Sequence, residues 1–212
     1  MSVALSPTTG EPVTTVARRN RLGLWMCIVS DASGTIALLI AYAYLWGLNV
    51  NDKWAPPANA WAPDWPFWGI LLILVLATVI MWWGAASIRR GHRGRLILAS
   101  IVSSLLILVA FVGQIIQIAT LPFGPSDGAY ASTTIWLCLG AAAHLFMVLF
   151  LTMAILGRTH AGRITEDNPS HARLVAMWMT WVCVAVFFGA LLTTTLKESG
   201  NTESPTFGVF QE

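Results

Sequence analysis

LGLWMCIVSDASGTIALLIAYAYLWGL, residues 22–48, is an apolar run long enough to cross a bilayer, and it carries one carboxylate, Asp31, inside it. A hydrocarbon core of about 30 Å takes about 20 residues of α-helix. Asp31 therefore falls within the lipid zone. An ionised carboxylate is costly there, so it must face other protein, pair with a partner or carry a proton. It is the first place to look for function.

Working outward, the rest of the chain repeats the apolar theme. Of its 212 residues, 56% are hydrophobic and 10% charged, and the mean hydropathy is +0.68, which leaves too little polar surface for a soluble globule. Four more runs of spanning length lie at 65–88, 96–121, 133–156 and 174–196, each apolar all round rather than along one stripe. The expected fold is all-α, a polytopic bundle of five transmembrane helices over 22–196. An N-terminal tail, 1–21, rich in Ser, Thr, Pro and Gly at its start, and a C-terminal tail, 197–212, flank it. The first apolar run comes too late and is too long for a cleavable signal peptide. Cys27, Cys138 and Cys183 stand singly in apolar runs, without the spacing of a redox pair, a zinc site or a disulfide frame. They read as buried filling.

The connections alternate in charge. Arg18, Arg19 and Arg21 precede the first span; Arg89, Arg90, Arg93 and Arg95 lie between the second and third; Arg158, Arg163 and Arg173 lie between the fourth and fifth. These are ten of the twelve Lys and Arg residues, and only Lys53 and Lys197 fall on the other side. The excess of positive charge on one side places the N-terminus in the cytoplasm and the C-terminus outside. The loop at 49–66, NVNDKWAPPANAWAPDWP, interleaves tryptophan with proline and supports no long regular element. Trp54, Trp61 and Trp65 in it suit the headgroup region, where an indole keeps its ring in apolar contact and its N–H wet. The alternative is a docking surface for another subunit.

Three further polar residues lie in the apolar runs. Gln114 and Gln117 are spaced i, i+3 on one helix face and need hydrogen-bond partners, expected on an adjacent helix. His144 follows the small-residue patch GAAAH at 140–144, which would let another helix approach closely. A lone membrane histidine reads either as a hydrogen-bonded packing residue or as part of a proton path. A bis-histidine haem on this chain is excluded, because His92, His160 and His171 fall in loops, and no phosphate loop or metal cluster is spelled out. The paired, interrupted half-helices of many secondary transporters are also missing, though a small membrane transporter stays open as an alternative.

Several stretches, taken in order, carry a resemblance. LGLWMCIVSD has Gly23-x-Trp25 followed by Ser30 and Asp31; 54–66 is rich in Trp and Pro; FVGQIIQ holds Gln114 and Gln117; YASTTIWLCLGAAAHL holds Tyr130, Ser132 and His144; and MWMTWVCV holds Trp178. Together they resemble subunit III of the haem-copper terminal oxidases, in its short five-helix form, over 22–196. In the family the pair at Ser30 and Asp31 is more often Ser and Glu, and Gln117 stands where Glu is common. Ala141 replaces the first His of a Gly-x-His-Gly-x-His segment, and Met179 and Val182 replace the His and Asp of the last helix.

The resemblance implies an accessory role. A subunit III carries no haem or copper of its own; these belong to partner subunits. It packs against catalytic subunit I and other oxidase subunits in the bacterial inner membrane, binds phospholipid between its helices and supports proton uptake, with no nucleic acid as partner. Asp31, His144, Gln114 and Gln117 would be its polar intramembrane residues, without a catalytic or metal-binding role, and Trp25, Trp54, Trp61, Trp65 and Trp178 its lipid or interface residues. An accessory subunit of a nitric oxide reductase is the related alternative.

Overall fold

A computed structural model describes residues 10–49 and 53–198. It contains five α-helices, α1 (Val13–Leu48), α2 (Trp65–Ile88), α3 (Arg93–Ala119), α4 (Ala129–His160) and α5 (Ser170–Thr195), each long and apolar enough to cross a membrane. No β-strand occurs among the described residues. Positions 1–9 and 199–212 of the two expected tails lie outside the described residues.

α1 differs most from expectation. It starts at Val13 rather than near 22, taking in the arginine stretch, and runs for 36 residues. Pro12 precedes it, and nothing in VTTVARRNR breaks a helix. At 1.5 Å per residue it is about 54 Å long, well beyond the hydrocarbon thickness. It stops at Asn49, which adopts a left-handed conformation (φ 36°, ψ 49°) and returns its N–H to the Leu45 carbonyl at 3.1 Å.

α2 and α3 form the tightest pair. They are joined by a short turn through Gly91, at φ 77°. A Cβ added at Gly84 would fall 2.5 Å from the Ala99 Cβ, so this glycine is what allows the two backbones to meet. Ser103 Oγ crosses the same interface to the Ala77 carbonyl at 2.9 Å. α4 packs on α3 with a Ser104 to Thr152 hydroxyl bond of 3.0 Å, and α5 packs on α2, where Trp82 Nε1 donates to Thr180 Oγ1 at 2.9 Å. Leu74, Met81, Ile107, Leu145, Met179 and Val182 are fully buried among these four helices. The apolar Met179 and Val182 thus fit an apolar core, where a His and an Asp would each need partners.

α1 stands at the edge, packing chiefly on α4 and α5. Only 6% of its most apolar window is buried, against 28–44% in the other helices.

A second core closes the end away from the arginines. Trp54 is 1% exposed and packs edge-on against Tyr42 and Tyr130, at centroid distances of 5.1 and 5.7 Å. Trp61 and Phe123 also meet Tyr130, at 4.7 and 5.6 Å. Three ring donors converge on the end of α5: Trp54 Nε1 on the Lys197 carbonyl (2.6 Å), Trp46 Nε1 on that of Glu198 (2.9 Å) and Tyr42 OH on that of Leu196 (3.2 Å). Lys197 Nζ in turn bridges Asp64 at 2.5 Å and the Ala62 carbonyl at 2.9 Å. Gly128 (φ 129°) lets the α4 entrance lie against the 53–55 backbone, since a Cβ there would meet three carbonyl oxygens at 3.1–3.3 Å. The expected row of interfacial tryptophans therefore divides. Trp54 is a core residue and not a lipid anchor, because its N–H is satisfied inside the protein; Trp61 is half-buried on Tyr130, and Trp65 is 78% exposed.

Candidate functional site

The site forms where α1 meets α4 and α5. Asp31 projects from α1 between the two. His144 Nε2, from α4, lies 3.0 and 2.9 Å from the two carboxylate oxygens, and Trp181 Nε1, from α5, donates to Oδ2 at 2.6 Å. Three helices are thereby joined at one carboxylate. The Asp31 side chain keeps 29% of its surface open and that of His144 15%, so the pair sits at the seam rather than at the bundle centre.

The two partners differ chemically. An indole N–H can only donate, so Oδ2 must accept from Trp181 whatever the protonation of the rest. Between His144 and Asp31 one proton can lie on either partner and still make the hydrogen bond. The pair can therefore hold a proton without losing its connection. Trp178, one turn before Trp181, leans on the imidazole with ring centroids 6.4 Å apart, and its own Nε1 is buried without a hydrogen-bond partner.

On the side of the ring facing Gly140 there is a small cavity of about 60 Å³. Thr35, Gln114, Cys138 and His144 supply its polar lining, and Gly140 and Gly189 part of its wall. That volume has room for about two water molecules. It also narrows the expectation for 140–144: Ala141 and Ala142 pack against neighbouring helices, but no helix closes in at Gly140 itself, where an added Cβ would meet nothing within 4 Å. The close approach falls at Gly84 instead.

Gln114 and Gln117 are both buried and bond to each other, and Gln114 also meets the expectation of a partner on an adjacent helix. Gln114 Nε2 donates to Gln117 Oε1 at 3.2 Å within α3, and Gln114 also faces the Cys138 thiol. Gln117 Nε2 is left without a partner. The i, i+3 spacing that puts two amides on one face also lets them bond to each other. Of the cysteines, Cys138 is buried, Cys183 is half-buried with its sulfur 3.3 Å from Thr78 Oγ1, and Cys27 is exposed on α1, so it fills no core. Trp25 is likewise open, at 51%.

Asp31, His144 and Trp178 are thus brought together, Gln114 shares the cavity with His144 and is bonded to Gln117, and Trp25, Trp54, Trp61 and Trp65 lie apart. Trp181 is the residue that sequence reasoning missed. Its signal was available: it follows Trp178 at i+3, and a membrane carboxylate calls for more than one donor. Among the described residues, no three of His, Cys, Asp or Glu come together. No known family model matches the chain, and no curated protein matches its sequence.

Proposed function

We propose that the protein is an accessory, cofactor-free subunit of a proton-pumping respiratory terminal oxidase of the cytochrome c oxidase type. In this role it stabilises catalytic subunit I in the bacterial inner membrane and supports proton uptake during oxygen reduction, with haem and copper in the partner subunits. What carries this is Asp31, a carboxylate kept in the middle of a spanning helix and held there by His144 and Trp181. An intramembrane carboxylate is costly to keep. The pair can take up and release a proton without breaking the joint between α1, α4 and α5, which suits a part in proton supply. The order of sequence signatures from Gly23 to Trp178 supports the same assignment.

The test is to purify the tagged chain from its native membrane in mild detergent, run the complex on a native gel, and record a reduced-minus-oxidised spectrum with a metal count. A large assembly containing haem and copper is expected. Haem with non-haem iron and no copper would transfer the subunit to a nitric oxide reductase. A colourless homo-oligomer would overturn the assignment in favour of a transporter. Within the oxidase, Asp31→Asn is expected to leave assembly intact and to slow proton uptake or shorten the active lifetime during sustained turnover. Unchanged activity over prolonged turnover would reduce Asp31 to a structural joint.

A further inference from the structure

We propose that water enters the bundle along the inner face of α4 from the pole away from the arginines, and that the Asp31–His144 pair exchanges its proton through that pole. Tyr130, Thr134 and Cys138 succeed one another at four-residue spacing on α4, so they share one face that leads from this pole to the cavity beside His144. On α3, Gln114 faces Cys138 and lines the same cavity. Because α3 and α4 run antiparallel, Gln117, one turn on, comes back toward the level of Thr134. None of these five side chains belongs to a residue more than 3% exposed. Thr35, one turn beyond Asp31 on α1, adds a hydroxyl to the cavity wall.

Three atoms along this line call for water. Gln117 Nε2, Tyr130 OH and Thr134 Oγ1 are buried without a hydrogen-bond partner, although Tyr42 and Tyr130 both turn their phenol groups toward Thr134. A buried polar group left dry is costly, and an ordered water that bridges it to further polar groups removes the cost. The cavity that follows, about 60 Å³, has room for about two waters next to His144. At its other end the line reaches the surface. Tyr130 OH faces the Ala62 backbone, the Ala62 carbonyl accepts from Lys197 Nζ, and Lys197 bridges to Asp64, whose side chain is 53% exposed.

The opposite direction offers nothing comparable. From His144 toward the arginines, the seam of α1, α4 and α5 is lined chiefly by Leu24, Cys27, Met147, Leu151 and Val175, which give water no chain of partners. Trp178 stands at its end, and an indole N–H that can donate but not accept passes no proton on. The groups that face the pair sharpen the contrast. Across the cavity stands the Cys138 thiol; α5 contributes Trp178 and Trp181 and α3 contributes Gln114, none of which carries a charge. A proton on the pair thus leaves by the passage. The inference rests on reading Asp31 and His144 as a proton-holding pair and not on the oxidase assignment.

Cys138 is a thiol inside the passage, so it reports entry. With Cys27→Ser and Cys183→Ala it is the one cysteine left. The full chain is reconstituted in lipid vesicles of known orientation, silver nitrate in chloride-free buffer is added to one face at a time, and free thiol is counted by mass spectrometry. Silver ion is small enough to follow water and does not cross lipid. Loss of the thiol is expected from the pole of Lys53 and Lys197 and not from the arginine pole. Thr134→Val removes one of the water's partners without changing the side chain's shape and is expected to slow the reaction about tenfold. Thr134→Ser keeps the hydroxyl and should react at the parent rate. Reaction from the arginine pole, equal reaction from both poles, or none from either would overturn the passage. The proton is read separately, from the infrared carbonyl band of protonated Asp31, identified by its loss in Asp31→Asn, while pH is stepped on one face. The band is expected to follow the pole of Lys53 and Lys197. A band that follows the arginine pole would overturn the exchange route even if silver enters, and one that no step moves would overturn the proton-holding pair itself.

Discussion

Asp31 accepts from a donor that cannot change and shares a proton with a partner that can. Phe in place of Trp181 removes the 2.6 Å bond while keeping most of the ring. A hydrogen bond to a charged group contributes about 1.5–3 kcal/mol in soluble proteins. Between membrane helices, measured couplings average only about 0.6 kcal/mol and reach about 1.7, because the separated helices also find partners. The lower range governs here, with the Asp31 side chain 29% open. Trp181→Phe and Asp31→Asn are each expected to lower stability by roughly 0.5–1.5 kcal/mol, read by reversible unfolding in mixed micelles. The double variant should cost less than the sum of the two, since both act on one bond; strictly additive losses would show that the indole and the carboxylate do not cooperate. Asp31 and His144 could each be picked out of the sequence because a polar group in an apolar run is conspicuous. Their pairing could not, since 113 positions separate them and helix register across a bundle is not written in either segment. Trp181 carries a fainter signal, its i+3 spacing from Trp178, in a run where tryptophan looks like filling.

At the level of the helices, the spans were legible and their contacts were not. Length and hydropathy locate α2 at 65–88 as it stands, and α3 to α5 within a few residues. They say nothing of how far α1 continues into the arginine stretch, because helix formation there depends on local propensity rather than on lipid. Small residues misled for a related reason. GAAAH at 140–144 has the composition of a close-packed helix face, yet composition does not show which side of α4 has a neighbour. Gly84, in the equally small run GAAS at 84–87, is the glycine that has one. These two positions make a paired prediction. Gly84→Ala places a methyl 2.5 Å from the Ala99 Cβ, so α2 and α3 must shift apart, at an overpacking cost of about 1–3 kcal/mol. Gly140→Ala adds its methyl to open space beside the cavity and gains helix propensity, with an expected change within about 0.5 kcal/mol of zero or slightly stabilising. Thermal unfolding of the two variants side by side separates these expectations. Comparable melting points would mean that the α2–α3 contact is looser than its geometry.

Across the whole molecule the five helices sort the charge. The starts of α1, α3 and α5 and the ends of α2 and α4 share one pole, where Arg93 also secures the end of α4 by donating to the Thr159 and His160 carbonyls at 3.0 and 2.6 Å. The other pole has Lys53 and Lys197, and Lys197 is neutralised by Asp64. An arginine-rich pole resists transfer across the membrane during insertion and is attracted by an anionic leaflet surface, which predicts that it stays on the cytoplasmic side. The aromatic core around Trp54, tied to the end of α5, closes the opposite pole, where Lys53 is exposed and Lys197 is paired. The predicted orientation therefore has the arginine pole in the cytoplasm. Ala161 on that pole and Ser126 on the other are both exposed loop positions, and each can be replaced by Cys in a background where Cys27 is Ser. In right-side-out vesicles a membrane-impermeant maleimide is expected to label Ser126→Cys at once and Ala161→Cys only after permeabilisation. The reverse pattern would turn the molecule over. A proton reaching His144 and Asp31 would then have to come from the other side of the membrane.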